Sequence, residues 1–421
     1  MKTQNTSKKQ IKMNLVWWVC DVTEESFYNH NLIKILCKKY DIVYSKNPDY
    51  IIVDVFNEIY NAGFRKQIER SLLDYDCVRI FCTGENVRAD YNLVDYAIDY
   101  DFVDFGDRHL RYPCFAQLPF VCNDKKRNLT KREKFCSYMV SHSGAYQWGS
   151  ASGLRDRFFD KLSTYKRVDS GGSWRNNIGG MIDNHYKDDW VANKRRWLQD
   201  YKFNLCFENS SYAGYLTEKL FDAYSAGCVP IYWGDTSLRS GESVTKTDNF
   251  DIGGGGNSLY NPNDLDSIDT RIPKISPHLL EYKINPKAFI NAHNFPSLDA
   301  LVEEVKRIDN DNVAYESMRN EPLFLDNFNP KEFYEKRIFD FFDNIFSQSP
   351  NLAFRRGEGQ HLYNYRNRQA SLSKFGNKIH LLDKFSNYAD LGKDALNIAR
   401  FYDKIRKSTR KIRRKMQFWK R

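Results

Sequence analysis

One stretch decides the fold: Tyr201-Lys-Phe-Asn-Leu-Cys-Phe-Glu-Asn-Ser-Ser-Tyr-Ala-Gly-Tyr-Leu-Thr-Glu-Lys-Leu-Phe-Asp-Ala-Tyr-Ser-Ala-Gly-Cys-Val-Pro-Ile-Tyr-Trp-Gly-Asp235. Phe203–Glu208 reads as a strand, Leu216–Ser225 as a helix and Val229–Trp233 as a strand again, with a polar loop after the first strand. Strand, helix, strand at this spacing predicts a parallel unit of an open α/β sheet. Ligands of such sheets bind beyond the carboxyl ends of the strands. A helix N-terminus there suits an anion such as a diphosphate. Thr217-Glu218-Lys219 opens this helix. Lys219 can neutralise a phosphate, Glu218 can accept from sugar or ribose hydroxyls, and Tyr215 can stack on a base or a sugar. From spacing alone these residues could equally do no more than begin a helix, with Lys219 in solvent.

Outward from this stretch the same alternation recurs. Residues 14–20 form a compact apolar run, and 27–40 carry Leu32, Ile35 and Leu36 at helical spacing. Ile42–Tyr44, Tyr50–Val53 and Val78–Cys82 are short β-branched runs, with a charged helix candidate at Phe64–Leu73. A polar stretch at 123–134 separates this half from a second one. There Phe135–Val140 reads as a strand and Leu154–Leu162 as a helix. Residues 251–257 hold four consecutive glycines without a preceding strand and read as a loop. An amphipathic helix follows at 331–346, carrying Phe333, Ile338, Phe341, Phe342 and Ile345. Two Rossmann-like lobes result: 1–134 and 135–346, with an extension at 347–421.

Charge is distributed unevenly. Of the 64 Lys and Arg and the 54 Asp and Glu, 12 and 2 lie in 391–421, which leaves 52 of each before it. A body neutral by formal count gives no reason to expect nucleic acid across its surface. The early apolar run Leu15–Cys20 is too short for a signal sequence or a bilayer span. The nine Cys are scattered, with no CxxC. They read as buried thiols of a reducing cytoplasm, not as disulfides or a metal site.

The 201–235 stretch resembles the donor-binding signature of the α1,3-fucosyltransferases of glycosyltransferase family 10, of the bacterial, soluble type. The likeness rests on Lys202–Ser210, Tyr215–Lys219 and Val229–Gly234. Phe135–Ser141, Arg155–Leu162, Val168–Gly172, Asn176–Gly179, Phe81–Asn86 and Tyr91–Ile98 agree with further blocks, so the resemblance covers about 14–345. It departs at Ser141-His-Ser-Gly and in the Ser143–Gly153 insert. What the resemblance implies is a two-lobed GT-B architecture, with the acceptor lobe first and the GDP-fucose lobe second. It implies inverting transfer of L-fucose from GDP-β-L-fucose to the 3-hydroxyl of GlcNAc in N-acetyllactosamine-type, Lewis-type surface glycans. The α1,4 linkage on type 1 glycans and a non-catalytic glycan-binding protein are the rivals. By the same resemblance Glu85 falls on the general base, and Arg155 and Lys219 fall on diphosphate contacts. Glu218 and Tyr215 fall on contacts to fucose, ribose or phosphate, and Asn209 on a donor-pocket position. On its own Asn209 could equally be a turn residue, and Arg155 a solvated helix start. No Asp-x-Asp motif stands at the site, so no obligatory metal is implied, with stimulation by an ion such as Mn2+ left open.

The tail has its own pattern. Ile398, Phe401, Tyr402, Ile405, Ile412, Met416 and Trp419 fall within a sector of about 100° on a helix, and Lys and Arg fill the rest. A basic amphipathic helix over 395–421 ending in Phe418-Trp419 fits peripheral contact with an anionic membrane. Docking on a partner or on the body, or contact with nucleic acid, are the other readings. The expected location is the cytoplasm, at the inner face of its membrane.

Overall fold

The computed structural model describes residues 10–16, 22–55, 72, 75–117, 130–141, 152–182, 190–238, 275–276, 279–281 and 283–357. The helix expected at Phe64–Leu73 (Leu72 apart), the glycine loop, most of the Ser143–Gly153 insert and the basic tail lie outside them.

The first lobe is a parallel sheet of β1 (Gln10–Val16), β2 (Asp41–Tyr44), β3 (Tyr50–Val53), β4 (Val78–Cys82), β5 (Tyr96–Asp99) and β6 (His109–Arg111), in the order β2-β1-β3-β4-β5-β6. The second lobe is a parallel sheet of β7 (Lys134–Tyr138), β8 (Val168–Ser170), β9 (Tyr201–Phe207), β10 (Val229–Trp233) and β11 (Ile290–Asn291), in the order β11-β10-β9-β7-β8. Counted within each lobe, both sheets run second-first-third-fourth. The order therefore reverses beside the first strand, and the ligand crevice of a doubly wound sheet opens there. In the second lobe that switch point lies between β7 and β9.

The strands β3, β4 and β5 are buried throughout, as strands covered on both faces must be. The first strand starts at Gln10, four residues before the apolar run. Gln10–Met13 pair with Asp41–Tyr44, so ladder bonding extends the strand through Gln10 and Lys12, which face solvent. The helical region at 27–40 is two helices, α1 (Glu24–Asn29) and α2 (Asn31–Cys37). His30 between them is extended (φ −67°, ψ 131°), and Thr23 and Ser26 cap the first reciprocally.

The remaining helices are α3 (Cys114–Gln117), α4 (Ser152–Tyr165), α5 (Trp190–Leu198), α6 (Glu218–Ser225), α7 (Leu298–Asn310), α8 (Asn312–Asn320), α9 (Pro330–Ser347) and α10 (Pro350–Ala353). By sequence order α9 belongs with the second lobe. In space it crosses back onto the first sheet. Phe346 meets Tyr40 and Tyr50 edge-on, and Phe341 meets Tyr96. An amphipathic period fixes a buried face but not which sheet receives it. The chain after α10 stays on the first lobe, where Asp95 accepts from the backbone N–H groups of Arg355 and Arg356 at 2.7 and 2.8 Å.

The lobes share an apolar core. Phe115 of α3 stacks on Phe221 of α6, with centroids 4.2 Å apart and planes 14° apart. Among the described residues no helix is long and apolar enough to cross a membrane. Of the seven described cysteines, Cys82, Cys136, Cys206 and Cys228 are buried, Cys77 and Cys114 are half-buried, and Cys37 is exposed, contrary to the expectation for it. Cys37 is the last residue of α2, whose buried side is formed by Leu32, Ile33 and Leu36.

Candidate active site

At the end of β9 the chain delivers Glu208, whose side chain is fully buried. Its carboxylate accepts from the Thr217 N–H at 2.9 Å and lies 2.7 and 2.6 Å from the Thr217 hydroxyl. Thr217 is thereby held extended, and α6 starts at Glu218, two residues later than the apolar spacing suggests. The turn between them depends on Gly214 at φ +86°, which packs against the Tyr100 carbonyl oxygen. The Gly214 N–H donates to Asp235 Oδ1 at 2.7 Å, and the Ser237 N–H and hydroxyl donate to the same oxygen at 2.8 and 2.6 Å. Burial raises the Asp235 carboxyl, against these three bonds.

Lys219 points back to the strand end. Its Nζ is 3.0 Å from Glu208 Oε2 and 3.5 Å from Glu218 Oε1. Lys194 of α5 stands 3.9 Å from Glu218 and 2.9 Å from Asp222, and Arg195 closes on Asp222 at 2.8 Å. These three carboxylates and three cations balance one another at the head of α6. Burial works against the ammonium of Lys219, but Glu208 and Glu218 overcome it and hold its pKa above the ordinary lysine range. Burial alone would raise Glu218; Lys219 and Lys194 bring it down to about 2. Glu208 goes the other way, pushed up by burial and by Glu218.

From the first lobe, Glu85 follows β4 in a turn where its N–H donates to the Thr83 hydroxyl at 3.1 Å. Its carboxylate faces the second lobe, where Asn209 Nδ2 donates to Glu85 Oε2 at 3.2 Å. Asn209 Oδ1 accepts from the Tyr215 hydroxyl at 2.9 Å and from the Ser210 hydroxyl at 3.1 Å. Neighbours reinforce the contact: Asn86 Nδ2 donates to Ser210 Oγ at 2.8 Å, and Arg88 meets the Tyr212 hydroxyl. The Cys114 thiol lies within electrostatic reach of the acids of both lobes. Burial, then Glu218, Glu208 and Glu85, push it well above its ordinary value, opposed by Lys219.

The structure thus brings Glu85, Asn209, Tyr215, Glu218 and Lys219 to one junction between the lobes. Tyr215 is placed otherwise than a stacking residue needs. It is buried, and its ring meets Tyr100 edge-on at 5.3 Å, so it walls the junction and offers no open face. A lone tyrosine in a polar loop carries no sign of which lobe will cover it. Arg155 is buried on α4, close to Tyr138 at the end of β7. It therefore stands by the carboxyl end of β7, one of the two strands at the switch point. Nearby, Gly172 is required: a Cβ there would lie 2.1 Å from the Val140 carbonyl oxygen. The loop after β8 crosses the end of β7 at that contact. Among the described residues no group of three or more His, Cys, Asp or Glu could hold a metal ion.

The comparisons with known proteins agree with this geometry. A family model described as the alpha-(1,3)-fucosyltransferase FucT N-terminal domain matches residues 17–118. Another, described as glycosyltransferase family 10 (fucosyltransferase) C-term, matches 129–251. The chain belongs to glycosyltransferase family 10. It is 28% identical over 395 residues to the alpha-(1,3)-fucosyltransferase FucT of Helicobacter pylori, covering 84% of this chain and 71% of that one. It is 24% identical over 334 residues to a putative fucosyltransferase of Acanthamoeba polyphaga mimivirus, spanning 47% of that relative's length. A solved alpha1,3-fucosyltransferase with GDP-fucose matches with a TM-score of 0.55 at 25% identity, over 85% of this chain and 96% of that one. The two lobes of this family 10 enzyme are therefore the halves of a GT-B fold.

Three functional-site residues escaped the sequence. Glu208 and Asp235 sit inside the quoted stretch, but nothing in their spacing distinguishes a buried strap from a solvated acid. Asn86 reads as a turn residue after β4, and only the assembled lobes show that it reaches Ser210.

Proposed function

We propose that this family 10 enzyme transfers L-fucose from GDP-β-L-fucose, with inversion, to the 3-hydroxyl of GlcNAc in N-acetyllactosamine-type surface glycans. The observation that carries the reading is the 3.2 Å bond between Asn209 and Glu85, which sets one carboxylate of the first lobe beside the donor loop of the second. One base suffices for a single displacement, because inversion needs no protein nucleophile. The acceptor hydroxyl passes its proton to Glu85 while its oxygen bonds to the anomeric carbon of fucose. The bond from that carbon to the phosphate oxygen breaks, and GDP leaves with the electron pair. Arg155 and Lys219 answer the charge that grows on the diphosphate, the kind of term that dominates such transfers. The same proposal includes peripheral seating of the enzyme at the inner face of the cytoplasmic membrane. Its support is the apolar sector within 395–421 and the 12 Lys and Arg of 391–421.

The test is GDP release over a panel of type 1 and type 2 glycan acceptors, with the linkage of each product determined. Release with type 2 acceptors and linkage to O3 is expected. Release confined to type 1 acceptors replaces the linkage with α1,4. No release with any acceptor, from a protein that binds GDP, overturns catalysis.

A further inference from the structure

We propose that Glu208 is a positioning residue for the donor: from beneath the site it fixes Lys219 and the first turn of α6 in the geometry that meets the diphosphate. The inference rests on the donor reading above and deepens it.

An ionised carboxylate out of water is costly unless its oxygens are paired. Glu208 is fully buried, and among the described residues its carboxylate is met by the tripeptide that opens α6. The Thr217 N–H lies at 2.9 Å, the Thr217 hydroxyl at 2.7 and 2.6 Å, and Lys219 Nζ at 3.0 Å. The carboxylate itself is held from the sheet. The Glu208 N–H donates to the Trp233 carbonyl at 2.8 Å, which fastens it to β10. Its stem occupies space that only a glycine leaves: a Cβ on Gly234 would lie 2.3 Å from Glu208 Cγ. Strand end and helix start are therefore one unit, with the carboxylate as the strap.

The consequence falls on Lys219. Its stem is flexible, and a free lysine would lose rotamer entropy each time it ordered against a phosphate. Glu208 holds one side of the ammonium while about a quarter of the side chain remains exposed (23%). The lysine is thus aimed before the donor arrives, and pre-ordering of this kind appears as affinity.

The experiment measures GDP binding by calorimetry and steady-state kinetics for Glu208→Gln, Lys219→Met and the double variant. Glu208→Gln keeps the shape and removes the charge. It should weaken GDP roughly tenfold and raise KM for GDP-fucose to match, as loss of a charged hydrogen bond does. The double variant should bind no more weakly than Lys219→Met alone, because Glu208 acts through that lysine. Glu208→Asp should recover part of the loss. Unchanged GDP affinity in Glu208→Gln, or losses that multiply in the double variant, overturns the inference. If Glu208→Gln does not fold, Thr217→Val decides: it deletes one hydroxyl in the strap and should cost GDP a few-fold in affinity. Wild-type affinity in that variant also overturns it. A wild-type protein that binds no GDP defeats the donor reading itself, whereas GDP binding unaffected in the variants defeats only the role of Glu208.

Discussion

Asn209 Nδ2 donates to Glu85 Oε2 across 3.2 Å, so the proposed base and the donor loop touch although they lie 124 residues apart. The Tyr215 hydroxyl, at 2.9 Å, and the Ser210 hydroxyl, at 3.1 Å, both donate to the Asn209 carbonyl oxygen, which turns its amide nitrogen toward Glu85. Glu85→Gln keeps the contact and removes the base. Transfer should fall at least a hundredfold, the usual scale for a general base, while GDP affinity stays within about twofold. GDP calorimetry and a transfer assay check both. Full activity in Glu85→Gln removes the residue from the mechanism.

The junction relies on packing as well as on polar contacts. Phe115 and Phe221 stack at 4.2 Å, and the Phe115 N–H donates to the Leu216 carbonyl at 3.2 Å. Both rings are fully buried. Phe115→Ala should therefore lower unfolding free energy by about 3–5 kcal/mol, through lost transfer energy and the cavity left behind. Denaturant titration reads the loss. A change under 1 kcal/mol would show that the lobes are held together elsewhere.

Much of this was legible in the residues. Val78–Cys82, Tyr50–Val53 and Val229–Trp233 are strands with the bounds their apolar β-branched runs imply. The helix α7 has an equally plain pattern that the sequence reading above does not name: Ser297 caps a run of Leu298, Leu301, Val302, Val305 and Ile308 at helical spacing. The strands β6, β8 and β11 have no such pattern. Two or three residues carry no periodicity, and only their neighbours define them. For the site, Lys219 and Glu218 could be read from the helix start, and Glu85 from its resemblance. The burial of Tyr215 and the strap of Glu208 could not, because both depend on how loops from distant parts of the chain pack together.

Asp95 anchors the end of the described chain. Fully buried, it accepts from the backbone of Arg79 at 2.7 Å, from Arg355 and Arg356 at 2.7 and 2.8 Å, and pairs with the Arg356 guanidinium. Removing one partner of a buried pair strands the other charge. Asp95→Ala should cost about 3–5 kcal/mol and free the 354–357 segment to proteolysis. Wild-type stability and protease resistance in that variant would show that the anchor contributes little.

His30 sets an acid response. Burial, then the nearby Lys34, push its imidazole from 6.5 down to about 4. The folded state therefore keeps His30 neutral in a range where the unfolded chain binds a proton. Its contribution is complete above pH 6.5 and is lost as pH falls toward 4, by at most roughly 3 kcal/mol. His30→Gln should flatten the fall in Tm over that window. An unchanged slope in the variant assigns the acid response to other groups.

The tail can be tested by truncation: a chain cut after residue 390 keeps every contact among the described residues, the last of which is Gly357. Those last contacts lie at Asp95, before β5, at the amino end of the first sheet. Glu85 follows β4 at the carboxyl end. The full-length protein should pellet with vesicles containing anionic lipid and do so less as salt rises, since polybasic attraction is screened. The 1–390 protein should remain in the supernatant with transfer to soluble acceptors unchanged. Equal pelleting of the two would rule out the tail as the membrane contact, and retention on neutral vesicles alone would assign the binding to the apolar sector without its charges.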